Sequence, residues 1–199
     1  MIYLDWNAGA PLCDAAAATI RAGDTGMQGN PSSIHGMGRQ ARARIEAARQ
    51  QIQQAIPLAG EATRPDGRAM VFTSGGTEAN ATVGQLIDPA SILLYDPTGH
   101  PSLCALAERL PPGQAYPVDI HPKNHAAAGR IDVESLGSRL QQLGGRGFVM
   151  VSAANSETGI LQPLAAIRRV AHAHGFLVIA DIAQLVGRVD ARDPQGIWH

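Results

Sequence analysis

The feature that most constrains the fold of this chain is the alternation of short apolar runs with longer segments of helical spacing. Four runs are apolar at successive residues, as is typical of strands buried on both faces of a sheet: 70–73, 91–95, 148–151 and 176–180. The segments with helical spacing are 33–56, 77–87, 102–110, 133–143 and 164–174. This alternation predicts an α/β fold with a mainly parallel sheet and helices on both faces.

Composition excludes several classes of protein. With 45% hydrophobic and 17% charged residues the chain can bury a core, and its net charge of -1 predicts neither a nucleic-acid nor a membrane partner. No basic leader or apolar run of about 20 residues is present, so we expect a soluble cytoplasmic protein. Cys13 and Cys104 are too few and too far apart for a disulfide framework or a metal site.

A candidate phosphate site follows the first apolar run. Ser74-Gly75-Gly76-Thr77-Glu78-Ala79-Asn80 leads from that run straight into a predicted helix. Glycines allow backbone N–H groups to approach an anion, and a helix N-terminus favours negative charge. The alternative is a helix capped by Ser74 or Thr77 without any ligand.

A second candidate follows the last apolar run, where Asp181 stands at the predicted strand end and Gln184 three residues later. The aspartate could hold a proton on a heterocyclic nitrogen, and the glutamine could donate to a nearby oxygen. The alternative is that Asp181 only caps a short helix. Because ligands of open α/β sheets lie outside the carboxyl ends of the strands, both segments point to the same region.

His100 follows the second apolar run and could act as an acid or base, or stack on an aromatic ligand. Cys104 lies four residues later, but a cysteine on an apolar helix is more often a small core residue than half of a catalytic dyad. The pairs His172/His174 and His121/His125 lack the arrangement of metal ligands, so no metal site is predicted.

Six segments together resemble, in order and spacing, the signatures of cysteine desulfurases. They are Tyr3-Leu4-Asp5-Trp6-Asn7-Ala8 with Pro11, Gly29-Asn30-Pro31-Ser32-Ser33-Ile34-His35, residues 72–80, His100-Pro101, Ala154-Asn155-Ser156-Glu157-Thr158-Gly159 and Asp181-Ile182-Ala183-Gln184. The resemblance implies that residues 1–199 form part of the large domain of a fold type I pyridoxal-phosphate enzyme of aminotransferase class V.

The resemblance also implies a role for each candidate residue. Gly76 and Thr77 would bind the cofactor phosphate, and His100 would stack on the pyridine ring and help to move protons. Asp181 would pair with the pyridinium nitrogen, and Gln184 would bond to the phenolic oxygen. A protonated ring nitrogen makes the ring a better electron sink.

Two departures from the family pattern stand out. Ser156 occupies the position of a cofactor-contacting asparagine, and a serine is short enough to need a bridging water. The family's cofactor-binding lysine and its sulfur-accepting cysteine lie beyond Asp-x-x-Gln, whereas this sequence ends at His199 and Lys123 is its only lysine. We therefore expect a truncated or split protein that holds pyridoxal phosphate non-covalently at best.

The expected family reaction converts L-cysteine to L-alanine and passes sulfur to an enzyme cysteine, for sulfur or iron–sulfur cluster supply. The full-length form is expected to be a homodimer with a possible sulfur-acceptor protein, while this chain alone is expected to be inactive. The alternatives are a related class V enzyme such as a selenocysteine lyase, or a degenerate half-domain that acts through a partner. A Rossmann-like nucleotide site is disfavoured because Gly75-Gly76 does not extend to GxGxxG.

Overall fold

The computed structural model describes residues 2–26, 29–56 and 70–189. The chain divides into two compact units, Met1–Met70 and Val71–His199. The described part of the first unit contains helices α1 (Asp14–Gly26) and α2 (Gly36–Ala55). The predicted helix 33–56 is thus confirmed as α2, whereas α1 was not predicted. The segment 57–67, which its proline and glycine residues predict to be a surface loop, lies outside the described residues.

The first turn of helix α2 is capped by the side chain of His35. His35 is its N-cap, and the Nδ1 atom of His35 accepts a hydrogen bond from the backbone N–H of Gly38 at 3.4 Å. Gly38 packs so closely on the turn before the helix that a Cβ there would overlap the carbonyl oxygen of Ser33. The glycine therefore sets how the turn enters the helix.

The second unit contains the sheet. Its helices are α3 (Gly76–Gly84), α4 (Pro101–Glu108), α5 (Val133–Leu143) and α6 (Leu164–Ala173), and its strands are β1 (Ile92–Tyr95), β2 (Ala115–Pro117), β3 (Gly147–Ser152) and β4 (Phe176–Asp181). The strand order is β2-β1-β3-β4 and all three pairings are parallel. The predicted parallel α/β fold is confirmed.

Successive residues of the strands face opposite sides of the sheet, which explains the unbroken apolar runs. On one side, the buried strand residues Leu94, Val149 and Val151 pack with residues of α5 and α6, namely Leu136, Leu140, Ile167 and Ala171. On the other side, Leu93 and Met150 pack with α4 residues Leu103, Leu106 and Ala107. Full burial of such a side chain stabilises the fold by roughly 1.5–3 kcal/mol, so both helical layers contribute to the core.

One predicted strand is wrong. Residues 70–73 form no strand: Val71 is 74% exposed and Phe72 is 47% exposed. Apolar residues do not make a strand unless a neighbouring backbone accepts and donates the ladder hydrogen bonds, and the four described strands pair only with one another. The short strand β2 was not predicted, because three residues carry almost no periodicity.

The parallel arrangement determines where the chemistry lies. Strands β1, β3 and β4 all end at the same edge of the sheet, so the loops that follow them start side by side. The loop after β1 leads to His100, the loop after β3 to Ser156 and the turn after β4 to Gln184. Among the described residues, no helix is long and apolar enough to cross a bilayer.

Candidate functional site

A cavity of about 190 Å³ opens at this edge of the sheet. It is lined by Gly76, Thr77, Asn80, His100, Ser152, Ala154, Ser156, Asp181, Ala183 and Gln184. All six residues that the sequence predicted as ligand contacts therefore lie around one cavity, although 108 positions separate Gly76 from Gln184 in the numbering (184 minus 76). Ser74 and Gly75, which were expected nearby, do not line it.

The start of helix α3 forms one wall of the cavity. Gly75 is the N-cap and makes no side-chain capping bond, so the expected alternative of a Ser74 or Thr77 cap is not observed. A Cβ added to Gly76 would meet no heavy atom within 4 Å, which leaves open space beside the first helical N–H groups. An anionic group such as a phosphate fits this space, since the helix end supplies donors and a favourable dipole.

The loop before α3 is held by Glu78. Its carboxylate accepts a hydrogen bond from the backbone N–H of Ser74 at 2.6 Å. Hydrogen bonds from the side chain and then the backbone of Ser74 lower the pKa of the Glu78 carboxyl from its usual value of 4.5. The ionised form of Glu78 is thereby favoured, and it ties the loop to the first turn of the helix.

Asp181 is half-buried at the end of β4 and uses both carboxylate oxygens. Oδ1 accepts from the backbone N–H of Ala183 at 2.9 Å, and Oδ2 accepts from Nδ2 of Asn80 at 3.0 Å. The first bond is local and belongs to a turn, whereas the alternative from the sequence was the cap of a short helix, which the structure does not show at residues 183–188. The second bond joins the end of β4 to α3. The carboxylate of Asp181 is therefore held by its own turn and by Asn80, and Asp181 also lines the cavity.

His100 is the N-cap of α4, and Pro101 occupies the first helical turn, as is common there. The Nδ1 atom of His100 lies 3.2 Å from the backbone nitrogen of Ser102, which donates to it, and 2.7 Å from the Ser102 hydroxyl oxygen. The ring is exposed and lines the cavity. Its position therefore follows from how α4 begins.

Cys104 forms no dyad with His100. Its sulfur lies 3.9–4.0 Å from the backbone carbonyl oxygens of Asp96, Pro97 and Gly99. Burial raises the pKa of the Cys104 thiol, and the charges of Asp96 and Glu108 raise it further. A thiol in such surroundings is a poor nucleophile at neutral pH.

Asn155 joins two of the loops that form the cavity. Its Nδ2 donates to the carbonyl oxygen of Thr98 at 2.7 Å, and its Oδ1 accepts from the backbone N–H groups of Glu157 and Thr158 at 3.0 and 2.9 Å. Because Asn155 is 8% exposed, these bonds lie in a protected environment. They fix the loop that carries Ser156 against the loop that leads to His100.

Gln184 lies on the turn after β4. The backbone N–H of Leu185 donates to the carbonyl oxygen of Ile182 at 2.9 Å, which closes this turn. Leu185 is fully buried and packs with Ala153 and Ala154 after β3. The packing anchors the turn and places the neighbouring Gln184 in the wall of the cavity.

Sequence reasoning missed two side chains that organise the cavity. Asn80 bonds to Asp181 and, through the same Nδ2 atom, to the hydroxyl oxygen of Ser102 at 2.9 Å. The signal for Asn80 was its position four residues after Gly76, on the same face of a helix. No local signal pointed to Ser102.

The remaining candidates lie elsewhere. The rings of His121 and His125 stack with centroids 4.1 Å apart, and no group of three or more His, Cys, Asp or Glu residues in the described ranges could hold a metal ion. Lys123 lies in the loop between β2 and α5 and is not among the residues that line the cavity.

Comparison with known proteins agrees with this picture. The Aminotransferase class-V family model matches residues 2–192. The putative cysteine desulfurase NifS of Bacillus subtilis (strain 168) is 33% identical over 194 residues, which cover 95% of this chain and 46% of that protein. A cysteine desulfurase of Cereibacter sphaeroides is 31% identical over 192 residues, covering 94% of this chain and 47% of its own length.

Solved structures show the same relation. The X-ray structure of a NifS-like protein from Rickettsia africae ESF-5 superposes with a TM-score of 0.82 at 27% identity, covering 96% of this chain and 50% of that one. The predicted resemblance to cysteine desulfurases is therefore confirmed. The chain spans about half the length of the curated relatives that it matches.

Proposed function

This chain belongs to the aminotransferase class-V family, and on that premise we propose that it forms part of the large domain of a pyridoxal-phosphate-dependent cysteine desulfurase. The single observation that carries the proposal is the cavity at the carboxyl edge of the sheet. Its wall combines a helix N-terminus, a carboxylate, an imidazole and an amide within one unit. Pyridoxal phosphate has a complementary group for each of them.

The residues present fit the cofactor. The open space beside Gly76 and the Thr77 hydroxyl would hold the phosphate, and Asp181 would hold a proton at the ring nitrogen. Gln184 would bond to the phenolic oxygen, Ser156 would contact the cofactor through a bridging water, and His100 would stack on the ring. When bound, pyridoxal phosphate supplies an electron sink for charge that develops at the substrate α-carbon.

The proposed substrate is L-cysteine, in line with the names of the relatives. The proposed reaction of the full-length protein yields L-alanine and transfers sulfur to a cysteine of the enzyme, for sulfur or iron–sulfur cluster supply. We propose a cytoplasmic homodimer with a sulfur-acceptor protein. Neither Lys123 nor Cys104 lines the cavity. We therefore propose that Lys123 is not the lysine that binds the cofactor covalently and that Cys104 is not the cysteine that accepts sulfur.

Cofactor binding tests the proposal. Pyridoxal phosphate titrated into the purified chain, followed by absorbance and intrinsic fluorescence, should bind reversibly and be removed by dialysis. Asp181→Asn keeps the shape but removes the charge, so it should weaken binding by about 1.5–3 kcal/mol, the loss typical of a charged hydrogen bond. Borohydride treatment and mass spectrometry should find no stoichiometric adduct on Lys123.

A matched control is available in Asp88→Asn. Asp88 accepts a backbone N–H two residues ahead, from Ala90 at 2.8 Å, just as Asp181 does from Ala183. Asp88 does not line the cavity, so its variant should bind the cofactor like the native chain. Absence of binding at millimolar pyridoxal phosphate, or equal losses in both variants, would contradict the proposal.

A further inference from the structure

Four side chains from three elements form a continuous hydrogen-bonded path along the cavity wall. It runs from Asp181 at the end of β4 to Asn80 in α3, then to Ser102 and His100 at the start of α4. We propose that Asn80 and Ser102 are positioning residues that form a directed relay, which holds the neutral imidazole of His100 as the tautomer with its hydrogen on Nε2. The catalytic meaning of this relay rests on the proposed function.

The direction of the relay follows from donor and acceptor chemistry. An ionised carboxylate only accepts hydrogen bonds, so Asn80 must present its amide nitrogen to Asp181, at 3.0 Å. The second hydrogen of the same nitrogen goes to the Ser102 hydroxyl oxygen at 2.9 Å. A hydroxyl oxygen can accept two bonds and donate one, so the Ser102 hydroxyl can donate to the His100 Nδ1 atom at 2.7 Å, and the backbone bond to the same Nδ1 atom selects this direction.

The backbone independently supports the same tautomer. The N–H of Ser102 also donates to Nδ1 of His100, at 3.2 Å, because His100 caps helix α4. A backbone N–H cannot act as an acceptor, so this bond forms only when Nδ1 carries a lone pair, and it favours the ring hydrogen on Nε2 together with the hydroxyl bond. Two donors from one residue therefore converge on one ring nitrogen.

The path is partly shielded from water. Asn80, Ser102 and Asp181 are all half-buried, and only the imidazole at its end is exposed. Partial burial strengthens polar bonds and makes their loss costly. The relay lies entirely within the second unit, between α3, α4 and the end of β4.

The tautomer decides what His100 can do. With Nδ1 occupied by Ser102 and a hydrogen on Nε2, the neutral ring can donate a hydrogen bond from Nε2 to a ligand atom, and it can take up a proton only at Nδ1. It cannot accept a proton at Nε2 until that hydrogen leaves. The relay therefore makes His100 a donor toward the cavity ligand and disfavours a role as the initial base.

The test is the tautomer itself, measured on the 199-residue chain without any cofactor. Histidine ring nitrogens labelled with ¹⁵N are observed by long-range ¹H–¹⁵N correlation at a pH above the ordinary titration of imidazole, with His100→Gln to assign the signals. We expect His100 to show an unprotonated Nδ1 and a protonated Nε2. A predominant Nδ1–H form of native His100 would overturn the proposal.

Two histidines in the same spectrum serve as internal standards. Nδ1 of His174 lies 2.9 Å from the carbonyl oxygen of Val170, which can only accept, so His174 must be the Nδ1–H form. Nδ1 of His125 accepts from the backbone N–H of Ala127 at 3.0 Å, so His125 must be the Nε2–H form. Neither residue touches the relay, and unchanged signals from both show that a variant is folded.

Variants test the coupling. Asn80→Asp replaces the donor with an acceptor of the same shape, which should turn the Ser102 hydroxyl away from His100 and raise the Nδ1–H population several-fold. Ser102→Ala should shift the population in the same direction, whereas Ser102→Thr retains the hydroxyl and should restore the native pattern. If Asn80→Asp and Ser102→Ala both leave the tautomer unchanged, the relay does not operate.

The result is independent of cofactor binding. A native Nε2–H tautomer that responds to Asn80→Asp supports the relay even if pyridoxal phosphate fails to bind, an outcome that would contradict only the proposed function. Conversely, normal cofactor binding with an unresponsive tautomer overturns the relay and leaves the proposed function standing.

Discussion

At the residue scale, side chains around the cavity each form hydrogen bonds with two different neighbours. Asp181 accepts one bond from its own turn and one from Asn80, and Asn80 uses one nitrogen for Asp181 and for Ser102. Such shared bonds couple the loops, so that removing one partner leaves the others unsatisfied at a cost of about 1–3 kcal/mol each.

Cys104 should therefore react slowly. Because burial and two nearby carboxylates raise the pKa of its thiol, little thiolate is present at neutral pH. In Cys13→Ser and Cys104→Ser single-cysteine chains, iodoacetamide at neutral pH should modify Cys104 several-fold more slowly than the exposed Cys13. Rates followed by mass spectrometry should become equal in denaturing urea. Equal rates in the folded chain would contradict this prediction.

At the element scale, the site depends on how closely β1, β3 and β4 approach one another. Gly147 begins β3, and it pairs with Ile92 of β1 and Phe176 of β4. A Cβ at Gly147 would overlap the carbonyl oxygen of Ile92 and come within 2.9 Å of the Phe176 ring. A backbone oxygen cannot move aside as a flexible side chain can, so the absence of a side chain at Gly147 permits this pairing.

Gly147→Ala should destabilise the fold by about 1–3 kcal/mol or more, the range for overpacking a tight site. The control is Gly36→Ala at the start of α2, where the nearest heavy atom to a new Cβ would be 3.9 Å away. Alanine favours helices over glycine by up to about 1 kcal/mol, so this variant should be as stable as the native chain or more so. Urea unfolding followed by circular dichroism measures both, and similar midpoints would count against the packing argument.

At the scale of the whole molecule, the chain carries site-forming loops on a four-stranded sheet and matches about half the length of its relatives. It covers 46% and 47% of the two curated relatives. Strand β4 is the end strand of the described sheet, and its Leu177 is 59% exposed. This end strand therefore presents an exposed apolar side chain at the edge of the sheet.

The 199-residue chain alone should release no sulfide from L-cysteine above the rate of free pyridoxal phosphate. A positioned covalent base and a sulfur nucleophile each contribute orders of magnitude to such a rate, and neither Lys123 nor Cys104 lines the cavity. Co-expression with the C-terminal half of a full-length relative should restore sulfide release, and Asp181→Ala should then lower it sharply. Sulfide release by the chain alone, abolished by Asp181→Ala, would contradict the prediction.

The sequence by itself determined the class of the fold and six of the ten residues that line the cavity. Continuous apolar runs predicted β1, β3 and β4, because strands of a sheet with helices on both faces tend to be apolar at successive positions, although Leu177 of β4 is 59% exposed. Residue patterns after apolar runs identified Gly76, Thr77, His100, Asp181 and Gln184, and the family resemblance added Ser156; all six line the cavity. The apolar run 70–73 was wrongly predicted to be a strand, because a strand also needs a neighbouring strand to pair with, which composition does not reveal.

Only the tertiary structure decided how these residues are joined. Asn80 meets Ser102 from 22 residues away and Asp181 from 101 residues away. A local pattern reports the period of one helix or strand, but contacts across such separations depend on how α3, α4 and the end of β4 pack together. The directions of those bonds, and with them the tautomer of His100, therefore follow from packing and could not be deduced from any single segment.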